Sequence, residues 1–435
     1  MEKIKHLFHP LAICGALFMC GLLLGGCSSN SDDNDTAELN NNNFIFVDAT
    51  HGTATAAGTM EDPLDTIQEG IDLAATESKD VCVAEGTYQV DSDTANIIEM
   101  NSAVSLYGGY RNNEGSWTRD PASYQTIITD LAESGGTYDD PNRAINCGYG
   151  LQAGEPPVID GFFIEGGGGD MSAGIFISEG SSVAINNCAI EIGDASSGYG
   201  IKNYSTDRDS GTLLTVTDSA ISGGGGTAVT GISLSRGDLT VTEVAVTGLI
   251  ASSVTYGIDC GYGDIEITDS LINGGTATGS TYALYLNEAF TSIVSDCTID
   301  GGSGGSRSYG IAAMDTEGES SILRNQVDGG SGTQSVALEL GWVEVNPSVD
   351  NNIFSVSGGT DRFGIWERDN ISDPVSLKDN TFDYSLLAGS GTSVYYRDRT
   401  ANLTTDITNI AQVNSLDEDG LNPTGTVSGN LTTLP

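Results

Sequence analysis

ITDSLINGG (267–275), SDCTIDGG (295–302) and LRNQVDGG (323–330) are variants of one phrase. Each closes a short alternating run, places an acid or Asn, takes a two-residue step to Ile or Val, and then reaches Gly-Gly. Working outward from these three, the apolar anchor recurs at Ile164, Ile190, Ile221, Val246, Ile272, Ile299, Val327, Phe354 and Phe382, at steps of 26, 31, 25, 26, 27, 28, 27 and 28. A second column, an aromatic or branched residue, then Gly or Ala, then Ile or Leu, lies between them. Its anchors are Ile175, Ile201, Ile232, Ile258, Leu284, Ile311, Leu338 and Ile365, at nearly the same step. Two columns in phase are the mark of a solenoid, each coil of about 27 residues holding two or three short strands. The alternation at Leu214/Val216, Leu239/Val241 and Ile265/Ile267 excludes helical repeats, which need apolar residues at i, i+3, i+4 and i+7. Gly-Gly and Asp or Asn every dozen residues punctuate turns. About eleven coils stacked at about 4.8 Å would stand roughly 50 Å tall.

Composition narrows the function. Only 16 of 435 residues are Lys or Arg against 60 Asp or Glu, for a net charge of −44. Phosphate binding needs basic clusters, so a nucleic-acid partner is excluded. Gly is frequent (58 residues) but follows no period of three, which excludes collagen.

The first residues carry an address. Lys3 and Lys5 precede an apolar run from Leu11 to Leu24 that is too short for a confident membrane span. The run ends in Leu24-Gly25-Gly26-Cys27, which resembles the lipobox of bacterial lipoproteins. That resemblance implies cleavage before Cys27 and lipid attachment to it, hence a membrane partner through acyl chains. Ser28 after the cysteine implies the outer membrane, on its periplasmic face or at the cell surface. The expected division is a signal peptide over 1–26, a disordered tether over 27–43, an N-terminal cap over 44–80, a β-helix over 81–400, and a C-terminal cap or tail over 401–435. The cysteines beyond residue 27 (Cys82, Cys147, Cys188, Cys260, Cys297) are widely spaced and contain no CxxC, so they read as small buried hydrophobes.

The segment beginning FIFVDATHGTATAAGTMEDPLDTIQEGIDLAA (44–75), followed by VCVAEGTYQV (81–90), resembles the opening of right-handed parallel β-helix proteins of the pectin-lyase-like superfamily. The features that carry it are Phe46-Val47-Asp48, Gly58-Thr59, Pro63, Thr66-Ile67 and Val83-Ala84-Glu85-Gly86-Thr87-Tyr88. SLYGGYRNNEGSWTRDPASYQTII (105–128) resembles a segment of uncharacterised lipoproteins of this type. The fold class is therefore all-β, a right-handed parallel β-helix. A short capping helix should seal its open end through Ile67, Ile71, Ala74 and Ala75. Lyases, hydrolases, esterases and adhesins share this fold, so activity must be argued from residues.

Catalytic motifs are sparse. The Gly-His-Gly of polygalacturonases is absent; beyond residue 26 the chain has one histidine, His51, which reads as surface decoration. Asp139-Asp140 beside Pro141 reads as a turn. Arg236-Gly237-Asp238 spells an integrin-type tripeptide of a kind that arises readily by chance in such a composition. The basic residues of the repeats (Lys202, Arg208, Arg236, Arg307, Arg324, Arg362, Arg368) show no cluster.

Three columns remain. Asp218, Glu243, Asp269 and Asp296 occupy one position in successive coils, either a turn that favours Asp or Asn or a stack of carboxylates that invites Ca²⁺. Tyr199, Tyr256, Tyr282, Tyr309 and Phe363 share the parity of the inward anchors, which predicts a core stack. The opposite parity gives a bare strip of Gly174, Gly200, Gly231, Gly257, Ala283, Gly310, Ala337 and Gly364, a shallow groove for an extended polymer. Beside it Lys202, Asp259, Tyr285, Glu339 and Trp366 are the candidate ligand-binding residues. Two functions stay open: a non-catalytic scaffold binding polysaccharide or extracellular matrix, which the scarcity of bases favours, and a Ca²⁺-dependent lyase acting on acidic glycans.

Overall fold

A computed structural model describes residues 39–101, 103–148, 156–206, 211–343, 347–400, 403–416 and 426–433. Cys27, the signal segment and most of the tether lie outside the described residues, as does Arg208. No helix among the described residues is long and apolar enough to cross a membrane.

The chain winds through three long parallel sheets. The first has fourteen strands and runs from Phe44–Val47 to Thr426–Ser428; the second has twelve, from Gly86–Val90 to Leu431–Thr432. The third also has twelve, beginning at Ile98–Glu99, continuing through Gly169–Ser178 and Ala195–Tyr204 to Ser393–Thr400, and closing with the antiparallel strand Leu403–Ile407. A small fourth sheet of Ile250–Ala251, Thr276–Ala277 and Ser303–Gly304 fills the corner between the second and third. This is a parallel β-helix.

Both expected anchor columns are ladders. In the second sheet Ile190 pairs with Ile221, Ile272 with Ile299 and Val327 with Phe354. In the third, Ile201 pairs with Ile232, Ile258 with Leu284 and Ile311 with Leu338. All are at most 2% exposed, and each fully buried Ile or Leu contributes about 1.5–3 kcal/mol to folding. The five cysteines are buried and free, as expected. The helix Ile67–Glu77 caps the open end, with Ile67, Ile71 and Ala74 buried and Ala75 partly so. Thr66 is its N-cap: Glu69 N–H donates to Thr66 Oγ1 at 3.3 Å and that hydroxyl donates to Glu69 Oε2 at 2.8 Å.

Two expectations need correction. The segment beyond residue 400 is more than a cap, because Thr426–Ser428 and Leu431–Thr432 add the last rung to the first two sheets. The parity assigned within the third sheet also fails, and it fails the same way in every coil. Ala173 pairs with Tyr199 and Ile175 with Ile201, while Gly174 and Gly200 between them are unpaired. The strand bends there, so the glycine and the following Ile both face inward. A β-carbon on Gly200 would lie 2.5 Å from Ile221 Cγ2, and one on Gly257 would lie 2.7 Å from Ile272 Cγ2. Ala283 and Ala337, at the same position, are fully buried in the main core. The glycine strip therefore faces the interior, and the tyrosine column lies outside the main core, with Tyr309 and Phe363 buried in a separate cluster; the sequence expectation had the two sides exchanged.

One core feature carried no recognised signal. Asn325, Asn352, Asn380 and Asn430 form a buried ladder: the amide oxygens of Asn352, Asn380 and Asn430 each accept the backbone N–H of the Asn one coil earlier at 2.8–3.1 Å, and that of Asn325 accepts the Cys297 N–H at 3.0 Å. Their side-chain amides donate to the carbonyls of Val294, Ile322, Val349 and Leu377. The ladder satisfies backbone groups at a corner that would otherwise be buried without partners.

Candidate functional site

The bend at the Gly position turns the residue before it and the residue after the inward Ile to the outside. The outer face of the third sheet thereby carries two adjacent ladders. One runs Tyr199, Thr230, Tyr256, Tyr282, Tyr309, Val336, Phe363. The other runs Phe176, Lys202, Ser233, Asp259, Tyr285, Ala312, Glu339, Trp366, Arg397. All five residues singled out for ligand binding thus lie on one ladder, and the tyrosines expected in the core stand beside them.

The tyrosines form a true stack. The rings of Tyr256 and Tyr282 are 5.0 Å apart and 10° from parallel, those of Tyr282 and Tyr309 4.7 Å and 5°. Their faces cover one another. Tyr285 leans across both, 5.8 Å from Tyr256 and 5.4 Å from Tyr282. Farther along, Trp366 stacks on Phe363 at 5.0 Å, and the Arg397 guanidinium lies 4.5 Å from the Phe363 ring. Tyr309, Val336, Phe363 and Val394 make an apolar cluster distinct from the main core. Burial pushes the Tyr256, Tyr282 and Tyr285 hydroxyls up, which leaves them as neutral donors at physiological pH.

Charged groups are embedded among these rings. Lys202 is fully buried; its ammonium lies 3.9 Å from the Tyr138 ring and 4.4 Å from the Tyr199 ring, with no hydrogen-bond partner among the described residues. Cation–π contact with both faces substitutes for water there. Burial lowers Lys202 to about 8, while the Asp259 charge pulls the other way. Burial likewise raises Asp259 to about 6, opposed by Lys202. Glu339 is 2% exposed and raised to about 7 by burial, against the pull of Arg368 and Arg307. Arg368 Nη1 donates to Glu339 Oε1 at 3.3 Å. Lys202, Arg307, Arg368 and Arg397 therefore converge on this face, although no cluster is visible in the linear sequence. The register could have found two of them, since Lys202 and Arg397 share one ladder.

The acidic column has a different character. Asp218, Glu243, Asp269 and Asp296 adopt φ of 47°, 56°, 51° and 59°, as do Asn187, Arg324, Asn351 and Asp379 at the same corner. Every coil makes a left-handed turn there, which Asp and Asn tolerate best. Repulsion does exist: Asp218, through a shared hydrogen bond and its charge, holds Glu243 above the usual carboxylate range. Arg324 ends the run, its Nε and Nη2 donating to Asp296 at 2.8 and 2.5 Å. No three of these four exposed carboxylates bring oxygens within 4.8 Å of one another. The turn explanation therefore accounts for this column.

His51 is not mere decoration. Its Nδ1 lies 2.9 Å from Oδ2 of Asp48, which is 2% exposed. Burial pushes Asp48 up, but hydrogen bonds from His51, Thr50 and Asn112 outweigh it and hold the carboxyl below its usual range. The pair borders an open cleft of about 720 Å³ beside the cap, also lined by Glu85, Asn112 and Ser123. No hydroxyl bonds to the His51 ring among the described residues, so the set is not a nucleophilic triad. Arg236-Gly237-Asp238 sits at a coil junction, where Asp238 Oδ1 accepts the Asp264 N–H at 3.0 Å. Asp140 pairs with Arg143, as befits a turn.

No protein-family model matches the chain, and no curated protein matches it. Among solved structures it is similar to the A-module of Azotobacter vinelandii mannuronan C-5 epimerase AlgE6. The two are 15% identical, with 85% of this chain and 94% of that one covered and a TM-score of 0.43. The AlgE4 A-module from the same organism gives 17%, 82%, 100% and 0.35. The GH136 lacto-N-biosidase from Eubacterium ramulus gives 10%, 90%, 68% and 0.33. At these values the likenesses carry no argument about activity.

Proposed function

We propose that the outer face of the third sheet binds an extended glycan lying along the solenoid axis, on a scaffold held to the outer membrane through lipidated Cys27. The observation that carries this reading is the paired ladder itself. Hydroxyls of Tyr256 and Tyr282 recur at the rung spacing, beside Asp259, Tyr285 and Trp366 on the neighbouring ladder. A strand spacing of about 4.8 Å is close to one pyranose unit of an extended chain, so successive sugars would lie against successive rungs. Tyr285 and Trp366 offer apolar surface, while the phenols and carboxylates offer hydrogen bonds, the mixture that sugar sites need. Arg307 and Arg368 stand on this face beside Glu339, Arg397 is paired with Asp406 and Lys202 is buried near Asp259, a concentration of basic groups in a protein of net charge −44 that favours a glycan bearing carboxylates.

Binding without turnover is the primary reading. A glycan array on the purified chain should give retention of acidic glycans that Tyr282→Ala and Tyr285→Ala each reduce at least tenfold, about 1.4 kcal/mol. Retention unchanged in both variants would overturn the assignment of this face.

One observation favours the lyase as a second reading. Lys202 at about 8 and Asp259 at about 6 are an acid–base set with values near neutrality, the condition for removing a proton next to a sugar carboxylate. Tyr138 covers Lys202, so turnover also requires the 131–141 segment to open. Appearance of unsaturated product from uronate polymers, abolished in Lys202→Met, would establish it.

A further inference from the structure

Away from the aromatic face, the described residues contain one place where three carboxylates converge: Glu367, Asp373 and Asp398, one oxygen of each within 4.8 Å of the others. Glu367 ends the strand Asp361–Glu367 and Asp373 follows in the connecting segment. Asp398 lies in Ser393–Thr400, and both it and Glu367 stand one residue beyond the Trp366–Arg397 pair. In earlier coils this ladder position holds Leu234, Cys260, Leu286 and Leu340, all core residues. The repeat has exchanged apolar side chains for two acids at its C-terminal end, and both are 0% exposed.

Their hydrogen bonding is incomplete. Glu367 accepts from the Tyr396 hydroxyl and from the Arg399 backbone N–H. Asp398 accepts from no N–H or hydroxyl among the described residues: both carboxylate oxygens are buried, and its one hydrogen-bonding neighbour is the Glu367 carboxyl. The nearby cations are engaged elsewhere, Arg368 with Glu339 and the Arg399 guanidinium with the Arg368 carbonyl. An ionised carboxylate out of water without a counter-charge costs several kcal/mol, and a buried acid persists when it is paired or binds a metal. Burial pushes all three carboxyls upward, and neighbouring like charge adds to this at Glu367 and Asp373, so a proton is the competitor of any cation here.

We propose that Glu367, Asp373 and Asp398 bind a divalent cation, calcium by preference, which ties the last turn of the third sheet to the one before it. Only oxygen donors meet here, with no His or Cys in the cluster, which disfavours zinc and copper. The oxygens come from two strands and a loop with no octahedral constraint, which suits calcium better than magnesium. The site is separate from the exposed acidic corner, where the sequence alone directed attention. Its role is to lock the C-terminal end of the stack, where unzipping of a solenoid can begin.

The test uses the purified chain after exhaustive chelation. Calcium should bind at one site, raise the melting temperature by mass action and be reversed by chelator. Terbium(III), a calcium surrogate for oxygen ligands, would sit beside Tyr396, so tyrosine-excited terbium luminescence should appear and calcium should quench it. Losing an outer-shell partner already costs about 10–100-fold in metal affinity, so Asp398→Asn should weaken calcium binding at least as much and abolish the luminescence. Asp373→Asn, on the half-buried connecting segment, should do the same with less risk to folding, and Asp269→Asn on the exposed corner should change neither signal. The proposal is overturned if the chelated wild type shows neither response, if both persist in Asp398→Asn and Asp373→Asn, or if Asp269→Asn removes them.

Discussion

Replacing Asp259 with Asn tests how the aromatic face holds its charges. Asp259 rises from 3.8 to about 6, first because burial disfavours its ionised form and despite the nearby Lys202. The groups that face it are Lys202 and the phenols of Tyr138, Tyr199, Tyr256 and Tyr285, of which only Lys202 is charged at neutral pH. Each tenfold change in proton affinity is worth about 1.4 kcal/mol, so ionised Asp259 costs the fold about 3 kcal/mol. The folded state holds its proton more tightly than the unfolded state between pH 3.8 and about 6. Its contribution to stability is therefore complete below 3.8, falls as pH rises through about 6, and is flat above. Asn carries no such proton. Urea unfolding of both proteins across the acidic and neutral range, with calcium absent throughout, gives a difference curve in which the titrating groups other than Lys202 cancel. That curve should move by about 3 kcal/mol in favour of the variant on going from below pH 4 to above pH 7. Lys202 should respond as well: without the Asp259 charge it should fall further below about 8. Parallel stability curves for the two proteins would refute a desolvated Asp259, and with it the picture of a water-poor, charged aromatic face.

Other perturbations probe separate parts of the argument. Gly257→Ala should lower stability by about 1–3 kcal/mol in urea unfolding, because its β-carbon would meet Ala283 O at 2.5 Å and Ile272 Cγ2 at 2.7 Å; a neutral result would return the glycine strip to the surface. Asn352→Ala leaves the Asn325 N–H and the Ile322 carbonyl short of partners, and should cost about 1–3 kcal/mol per unsatisfied group by the same assay. Asp269→Asn at the exposed corner should stay within about 0.5 kcal/mol of wild type or add slightly to stability, since it removes like-charge repulsion and no buried contact. Cys27→Ser should abolish metabolic palmitate labelling and membrane fractionation; unchanged detergent-phase partitioning would sink the lipid anchor.

The solenoid and its inward columns were legible in the sequence because a stacked coil repeats its constraints. Ile190, Ile221 and Val246 each meet the same neighbours one rung away, so the period of about 27 is written wherever the core is. The corner acids were legible for the same reason, since a left-handed turn selects Asp or Asn in every coil. Parity within the third sheet was not, because strict alternation presumes a regular strand. The bend that places Gly200 and Ile201 on the same side is a backbone event, and Gly permits it without announcing it. That single bend moves the Tyr256–Tyr282–Tyr309 stack from the interior to the candidate binding face. The buried acids at the C-terminal end needed the fold for another reason. Glu367 and Asp398 are 31 residues apart and unremarkable in so acidic a chain; only the stacking of one coil on the next puts both where Leu340 had been.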